Sequence, residues 1–276
     1  MIGRLFHVFR NTPPGREIFL QSLYFCQQTG LSLQVYVPRE SRFLLYLELD
    51  VVQIDLDSSY LALPETAVMH ARELAEEAGV KVEFFEPKDF TAATLPEVPV
   101  NFHFLCSPRS VSDLSSKIGL GFIGPRVRVI VRSARFPVLV PSGVFKKWHS
   151  LAVFFGGSVN SLNALRHALS LHRETGAPVD LFTLVENGRD RTKLEEMIEE
   201  DGLTDELGRC LRTWHVWDQG SMADHLYDVP HDSLVVVGAY GHGLVKQLVF
   251  GSTMEVIQSN LCNSLLVVGP KCRAPL

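Results

Sequence analysis

Short apolar runs alternate with amphipathic segments through the second half of the chain. Strands are predicted over 150–155, 179–185, 213–217, 233–237 and 264–268. Apolar residues at helical spacing predict helices over 159–174, 191–200, 204–211, 221–227 and 252–261. The strand at 233–237 is rich in β-branched residues, with three valines among its five residues, which is typical of a strand buried on both faces. This alternation predicts an α/β fold with a parallel sheet and helices on both of its faces.

The first half of the chain repeats this plan. Strands are predicted over 5–9, 31–37, 80–85, 100–106 and 136–140, and helices over 17–28 and 64–78. The end of the first strand lies 21 residues before a glycine in both halves, from Phe9 to Gly30 and from Phe155 to Gly176. The equal spacing predicts a tandem duplication joined near 141–149. The two predicted domains are 1–143 and 148–276.

The first half carries an extra segment over 39–63. Within it, residues 46–57 alternate apolar and acidic positions, as an exposed strand or hairpin does. The segment is either a surface excursion that covers an edge of the fold or a flap that binds a partner.

Composition and charge exclude several classes of protein. The chain has 276 residues, of which 46% are hydrophobic and 21% charged, so disorder and coiled coil are both excluded. The net charge of −5 argues against a duplex nucleic-acid partner. No apolar run is long enough to span a membrane, and the first residues do not form a signal peptide. Five scattered cysteines without metal-ligand spacing are expected to be reduced thiols in a cytoplasmic protein.

A glycine-rich segment follows the predicted strand 233–237 and precedes the helix that opens with Gly251-Ser252-Thr253. It consists of Gly238, Ala239, Tyr240, Gly241, His242 and Gly243. Glycines let backbone N–H groups approach an anion, and a helix N-terminus adds further donors and its dipole. Open α/β sheets bind ligands at the carboxyl ends of their strands. The segment therefore predicts a site for a ligand that carries phosphate.

The same residues are also compatible with a purely structural role. Ser252 with Glu255 forms a capping-box pattern, and Gly238 and Gly241 are also ordinary turn residues. The segment is neither a Walker A loop, since no Gly-Lys-Ser/Thr occurs, nor a dinucleotide fingerprint, since it follows the fourth strand of its half.

The spacing Gly238-x-x-Gly241, nine residues, then Gly251-Ser252 resembles the G-2x-G-9x-G-(S/T) signature of the ATP-binding universal stress proteins. The whole chain resembles the tandem type of that family. The resemblance implies two doubly wound domains, each a five-stranded, mainly parallel sheet of order 3-2-1-4-5. It also implies that the fifth strands pair with each other, 138–140 against 265–268.

The same resemblance implies a stress-response or regulatory protein that binds ATP, ADP or AMP, with or without Mg, at one site in the second domain. An unidentified protein partner and a homodimer of the tandem chain are also implied. The implied nucleotide-binding residues are Gly238, Ala239, Tyr240, Gly241, His242, Gly243, Gly251, Ser252, Thr253, Gly156, Gly157 and Val185. One departure weakens the match, because Gly156-Gly157-Ser158 replaces the frequent Asp-Gly-Ser.

The first domain is a degenerate copy by the same comparison. Pro108 lies within the segment that corresponds to Gly238–Gly241, and Pro125 replaces Ser252, so neither position has an N–H to donate. ATP binding in the family manner is not expected in this copy. Nearby cations either attract another anion or form a solvated basic surface: Arg109, Lys117, Arg126 and Arg128.

Two further functional classes stay open. One is an adenine-nucleotide hydrolase, because Gly156-Gly157-Ser158 resembles the Ser-Gly-Gly-x-Asp-Ser loop of ATP pyrophosphatases, although Phe155 and Asn160 replace the first Ser and the Asp. The other is a module that binds no nucleotide and acts by dimerisation or partner contact. No arginine finger or water-positioning carboxylate is assignable from the sequence, so hydrolysis by the chain is expected to be slow at most.

Overall fold

A computed structural model describes residues 3–47, 50–56, 61, 63–87, 95–99, 102–110, 123–185, 191–240 and 261–275. The elements of the first half are β1 Arg4–Val8, α1 Pro13–Thr29, β2 Ser32–Tyr36, β3 Arg42–Leu47, β4 Asp50–Asp55, α2 Pro64–Glu77, β5 Val82–Phe85, β6 Glu97–Pro99, β7 Phe104–Cys106, α3 Pro125–Ser133 and β8 Val138–Val140. Those of the second half are β9 Ser150–Phe154, α4 Val159–Thr175, β10 Val179–Leu184, α5 Arg191–Glu200, α6 Thr204–Cys210, β11 Leu211–Trp217, α7 Met222–His225, β12 Ser233–Gly238 and β13 Leu265–Val268.

Ten of these strands form one continuous sheet, in the order β11-β10-β9-β12-β13-β8-β7-β1-β2-β5. Each half contributes five strands that run parallel to one another, and the central pair β13 and β8 is antiparallel. The predicted α/β class with a mainly parallel sheet is confirmed. The division into domains at 143 and 148 stays a prediction, because the sheet runs across it without a break.

The junction between the halves is buried. Leu139 lies opposite Leu266 in the antiparallel pair, and both side chains are inaccessible to solvent. The connection that follows β8 is held by helix α1, where the Tyr24 hydroxyl donates to the carbonyl of Trp148 at 2.7 Å. The backbone N–H of Phe145 donates to the Glu17 carboxylate at 2.7 Å. The connection is therefore fixed against the fold along its length.

The helix ends follow local capping signals. The Thr12 side chain caps α1, which begins with Pro13 and ends at Gly30 with φ of 68°. The sequence pattern placed this start at residue 17, and that was wrong because prolines are well accommodated in a first helical turn. In α4 the cap is Ser158, and the helix ends at Gly176 with φ of 69°. The two equally spaced glycines of the sequence thus end the first helix of each half.

Two apolar layers cover the large sheet. Helices α1, α2, α4, α5 and α6 pack on one face, and α3 packs on the other. Most of the helix predicted over 252–261 lies outside the described residues. The strand predicted over 100–106 is shorter, as β7 begins at Phe104.

The extra segment of the first half forms a second, three-stranded sheet of order β4-β3-β6. Strands β3 and β4 form the predicted hairpin. The expectation of an exposed hairpin was wrong for one of its faces, because Phe43, Leu45 and Ile54 are buried in the core on the α3 side of the large sheet. Alternating apolar positions thus mark a half-buried sheet here.

Candidate functional site

The candidate site lies between the carboxyl ends of β9 and β12, and we call this place the second crevice. Strand β9 pairs with β10 on one side and with β12 on the other, so the connections from β9 and β12 leave in opposite directions. This is a topological switch point, where open α/β sheets bind ligands. Five predicted site residues border it: Gly156, Gly157, Gly238, Ala239 and Tyr240.

Gly238 is required at this place by packing alone. A Cβ atom there would lie deep inside van der Waals contact with the backbone carbonyl of Asn160, in the first turn of α4. The Asn160 side chain binds the same strand end, since its Nδ2 donates to the carbonyl of Ala239 at 2.6 Å. A glycine at 238 is therefore explained without a ligand.

Several backbone N–H groups at the second crevice are already hydrogen-bonded within the protein. That of Ala239 donates to the carbonyl of Val268 at 2.8 Å, which extends the β12–β13 ladder. That of Val185 donates to Trp217 at 2.7 Å. The Ser158 N–H donates to the Ser161 hydroxyl at 2.9 Å, and the Ser161 N–H donates to Ser158 Oγ at 3.1 Å. A ligand at Val185 can therefore contact only the carbonyl or the side chain of this residue.

Gly157 and Tyr240 have backbone conformations that turn the chain sharply away from the strand ends. Gly157 has φ of 65°, which suits a residue without Cβ. Tyr240 has φ of 60°, which is uncommon for a residue with a large side chain. Its hydroxyl donates to the carbonyl of Arg128 in α3, at 2.8 Å. The glycine-rich segment thus leaves β12 while anchored to the other half of the chain.

The remaining predicted site residues lie outside the described part of the chain. They are Gly241, His242, Gly243, Gly251, Ser252 and Thr253.

Aromatic rings line the sheet next to the second crevice. Phe154 and Phe182 have ring centroids 5.6 Å apart, and the His215 ring stacks on Phe182 at 4.7 Å with an interplanar angle of 2°. Trp217 lies 5.6 Å from the same phenyl ring. The sequence signal for this group is one aromatic residue near the carboxyl end of each of three adjacent strands: Phe154, Phe182 and Trp217. The apolar pattern alone did not predict that these rings lie together.

The corresponding place in the first half, between the carboxyl ends of β1 and β7, is the first crevice. Among the described residues the small sheet occupies most of it, since Phe43, Leu45, Ile54 and Leu56 line the cavity that remains, together with Val8 and Cys106. The remaining cavity has a volume of about 30 Å³. Ligand sites of drug size occupy roughly 300–1,000 Å³, so no nucleotide fits in this cavity.

Two of the four cations predicted around the first crevice, Arg126 and Arg128, bind groups of the protein itself. Arg126 forms an ion pair with Asp55 at 2.5 Å and also donates to the carbonyl of Gln53, so it holds the small sheet in place. Arg128 Nε donates to the carbonyl of Ile123 at 2.9 Å. Burial lowers the pKa of Arg109. Lys117 lies outside the described residues.

Comparison of the structures identifies the fold. The chain superposes over 97% of its length on the crystal structure of a universal stress protein from Archaeoglobus fulgidus DSM 4304, with a TM-score of 0.62, 17% identity and coverage of 96% of that chain. The fold is that of a universal stress protein. At this identity the likeness concerns the fold alone.

Two further solved structures resemble this chain over nearly its whole length. A functionally unknown protein from Pseudomonas aeruginosa PAO1 gives a TM-score of 0.55 at 16% identity, with coverage of 98% of this chain and 93% of that one. The cytoplasmic domain of a prokaryotic cation chloride cotransporter gives 0.54 at 13% identity, with coverage of 97% and 95%. No family model matches the sequence, and no curated protein matches it.

Two features of the described residues bear on the class of protein. None of their helices has the length and apolar character needed to cross a membrane. Among the same residues, no three side chains of the His, Cys, Asp and Glu types cluster as metal ligands do.

Proposed function

We propose that the chain is a stress-response or regulatory protein of the tandem universal stress type, which binds one adenine nucleotide at the second crevice. The observation that carries this proposal is the exit of the signature segment from β12, at a topological switch point beside the first turn of α4. ATP, ADP and AMP share the adenosine and phosphate groups that such a site binds.

The residues around the second crevice fit a phosphate-bearing ligand in part. Gly157 and Tyr240 turn the backbone at the strand ends, and the sequence that follows Tyr240 supplies the glycines and hydroxyls of the signature. The amide groups of Ala239 and Val185 are engaged elsewhere. We therefore assign phosphate binding to the segment after Tyr240. Magnesium, when it accompanies ATP, neutralises charge on the phosphates.

The filled first crevice limits the binding to one site per chain. Its apolar side chains and its residual cavity of about 30 Å³ support this limit, as do its prolines. In this proposal, occupancy of the second crevice alters the surface around the signature segment, and an unidentified protein partner binds that surface.

Calorimetric titration of the nucleotide-free chain with Mg-ATP, ADP and AMP tests the proposal. We expect one site per chain with a dissociation constant of roughly micromolar size. A Gly241→Val variant should lose the binding, because a branched side chain would crowd the phosphates. Gly143→Val is the matched control, since Gly143 is exposed with open space around it.

The titration separates the proposal from its main alternative. If none of the three nucleotides gives a heat of binding, the glycine segment has only a structural role. Equal binding by the native chain and Gly241→Val would place the nucleotide elsewhere. Gly238→Val is unsuitable as a test, because its clash with Asn160 would disturb the fold whether or not a ligand binds.

An interaction module without a nucleotide is the second candidate function. The observation in its favour is that the amide groups of Ala239, Val185 and Ser158 are all used within the protein. The cytoplasmic domain of the cotransporter described above also has a fold similar to that of this chain. This candidate predicts a partner interaction that added nucleotide leaves unchanged.

A further inference from the structure

A groove lies where the two halves of the chain meet, and we call it the junction groove. It opens at the edge of the sheet where the parallel strands β1, β7 and β8 begin, since Gly3, His103 and Pro137 all line it. Its volume is about 670 Å³, within the range of roughly 300–1,000 Å³ that ligand sites of drug size occupy. Its lining shares no residue with those described at the first or the second crevice.

Both halves of the chain contribute to the junction groove. The first half supplies residues 102–104 at the start of β7 and residues 134–137, which connect α3 to β8. The second half supplies residues 273–275, which follow β13, and part of α4. The α4 residues are three or four positions apart, so they share one face of the helix: His167, Ser170, Leu171 and Glu174. The groove therefore exists only when the two halves are packed together.

Contacts between aromatic rings hold the apolar part of the lining in place. Phe102 stacks on Phe6, with ring centroids 4.3 Å apart and an interplanar angle of 9°. Phe104 contacts Phe25 in an edge-on arrangement at 5.4 Å. Phe136, just before β8, is largely buried. Rings that are already fixed lose little freedom when a ligand packs on them, so this lining suits an aromatic or branched apolar group.

Polar groups of the lining favour a ligand that accepts hydrogen bonds. The Nδ1 atom of His103 accepts from the backbone N–H of Arg4 at 3.1 Å, so the neutral ring carries its proton on Nε2, which is a donor. Ser170 is half-buried and adds a hydroxyl group. His167 is engaged within the protein, because burial lowers its pKa to about 4 and its Nε2 donates to the carbonyl of Arg273 at 3.0 Å.

The charged side chains of the lining carry a positive excess. Among the described residues that line the groove, Arg135 and Arg273 are cationic and Glu174 is acidic. The two arginines belong to adjacent stretches of backbone, because the Arg273 N–H donates to the Arg135 carbonyl at 3.0 Å. Both also interact with other groups of the protein, and a guanidinium with five N–H donors is able to bind more than one partner. In a chain of net charge −5, this excess favours an anion.

We propose that the junction groove binds a small organic acid, with its apolar body against the phenyl rings and one carboxylate beside Arg135 and Arg273. Pockets for small molecules combine apolar walls with a few polar groups that fix the orientation of the ligand, and the lining of this groove has both. A guanidinium binds a carboxylate through paired, charge-assisted hydrogen bonds. This ligand is distinct from the nucleotide of the proposed function, and neither proposal depends on the other.

Titration with 2-naphthoate, followed by the NMR shifts of backbone amides, tests this inference. The probe joins an aromatic body to one carboxylate, and naphthalene-2-methanol is its neutral counterpart. We expect saturable shift changes at amides that border the groove, among them those of His103, Leu171 and Ala274. The neutral probe should bind about tenfold more weakly, because it lacks the hydrogen bonds between charged groups.

Two variants separate the charge from the location. Arg135→Gln should weaken the binding of 2-naphthoate by about tenfold and leave that of naphthalene-2-methanol unchanged. Ser170→Trp should abolish the binding of both probes, since the indole ring would occupy the groove. The matched controls are Arg209→Gln in α6 and Thr192→Trp in α5, both at exposed positions outside the lining. Both controls should bind the probes as the native chain does.

Several outcomes would overturn the inference. Shift changes confined to other parts of the molecule, or no saturable change at millimolar probe, would show that the groove is not a binding site. Equal affinity for the two probes, or native affinity in Arg135→Gln, would overturn the assignment of an anion. Native binding in Ser170→Trp would overturn the location. If a variant loses the native amide spectrum, the shifts of the native chain with the two probes decide.

Discussion

Gly238 meets a packing requirement and matches a binding signature at the same time. In the sequence it is the first glycine of the universal stress protein signature. In the structure its missing side chain allows β12 to approach the carbonyl of Asn160. The packing requirement exists with or without a ligand, so the identity of this residue is weak support for nucleotide binding. The residues after Tyr240 are the ones that distinguish nucleotide binding from a purely structural role.

Substitution of Gly238 by alanine should destabilise the nucleotide-free protein. The added methyl group would overlap backbone atoms, which cannot rotate away. We therefore expect the free energy of unfolding to fall by about 1–3 kcal/mol or more. Gly208→Ala is the control in helix α6, where nothing lies within 4 Å of the added atom. It should stabilise the protein by up to about 1 kcal/mol. Urea denaturation measures both, and a neutral Gly238→Ala would show that the strand end adjusts.

Buried histidines should make the stability fall as the pH is lowered. Burial lowers the pKa of His167 from 6.5 to about 4 and that of His7 to about 3. Below pH 6.5 these two imidazoles therefore bind protons in the unfolded chain but remain neutral in the folded chain. Each such group contributes up to about 1.4 kcal/mol per pH unit to the decline.

The His167→Gln variant isolates this effect. Its unfolding free energy should fall less steeply than that of the native chain between pH 6.5 and 4, and equally between pH 7 and 8. Urea denaturation at a series of pH values measures the two slopes. Parallel curves over the whole range would contradict the burial of a neutral imidazole at His167.

Among the elements, the small sheet determines how much space is left in the first crevice. Its hairpin β3–β4 buries one face against the core and is held by the ion pair between Arg126 and Asp55. The two interpretations of this segment from sequence were a surface excursion and a partner-binding flap. The structure shows a third arrangement, in which one face of the segment is buried in the core beside the first crevice.

Truncation of Phe43 tests whether the hairpin is part of the core. This side chain is 1% exposed, so Phe43→Ala should cost about 3–5 kcal/mol of unfolding free energy. Val51→Ala in the same hairpin is the control, because Val51 is 52% exposed, and its effect should stay within about 0.5 kcal/mol. Chemical denaturation compares the two. A small effect of Phe43→Ala would identify the hairpin as a detachable flap.

The whole molecule depends on the pairing of β8 with β13. In an isolated half, each of these strands would be an exposed edge, which is prone to pair with other chains. In the structure, Leu139 and Leu266 face each other in the middle of ten strands, and the sheet ends at β11 and β5 instead.

Hydrogen exchange should therefore be slowest near the middle of the sheet. We expect the amide groups of Val138–Val140 and Leu265–Val268 that bond within the sheet to open only with global unfolding. The edge strand Leu211–Trp217 is the internal control, and its solvent-facing amides should exchange faster. Measurement by mass spectrometry or NMR gives both rates. Fast exchange at Val138–Val140 would indicate that the two halves separate.

Local patterns in the sequence predicted much of the fold. The glycines that follow the first helix of each half, Gly30 and Gly176, and the apolar runs of β9 and β12 depend on neighbours within a few residues. The resemblance to a family supplied the pairing of the fifth strands. These features required no knowledge of distant contacts.

Several features that the sequence did not reveal arise from distant contacts. The anchor of Tyr240 on Arg128 joins residues 112 positions apart. The amide of Val185 is engaged because β10 and β11 continue their register by one further bond, to Trp217. The filling of the first crevice by Phe43 depends on how a second sheet packs. No periodicity along the chain encodes such contacts.

The filled first crevice also determines how the chain would respond to its ligand. Phe43, Leu45 and Ile54 line the small cavity that remains at the place that a second ligand molecule would need. Under the proposed function with one site per chain, we expect no ligand-driven cooperativity within a chain and a hyperbolic saturation curve with a Hill coefficient of one. Such a protein would report nucleotide concentration in a graded way over about two decades, and any steeper threshold would have to come from the association of several chains.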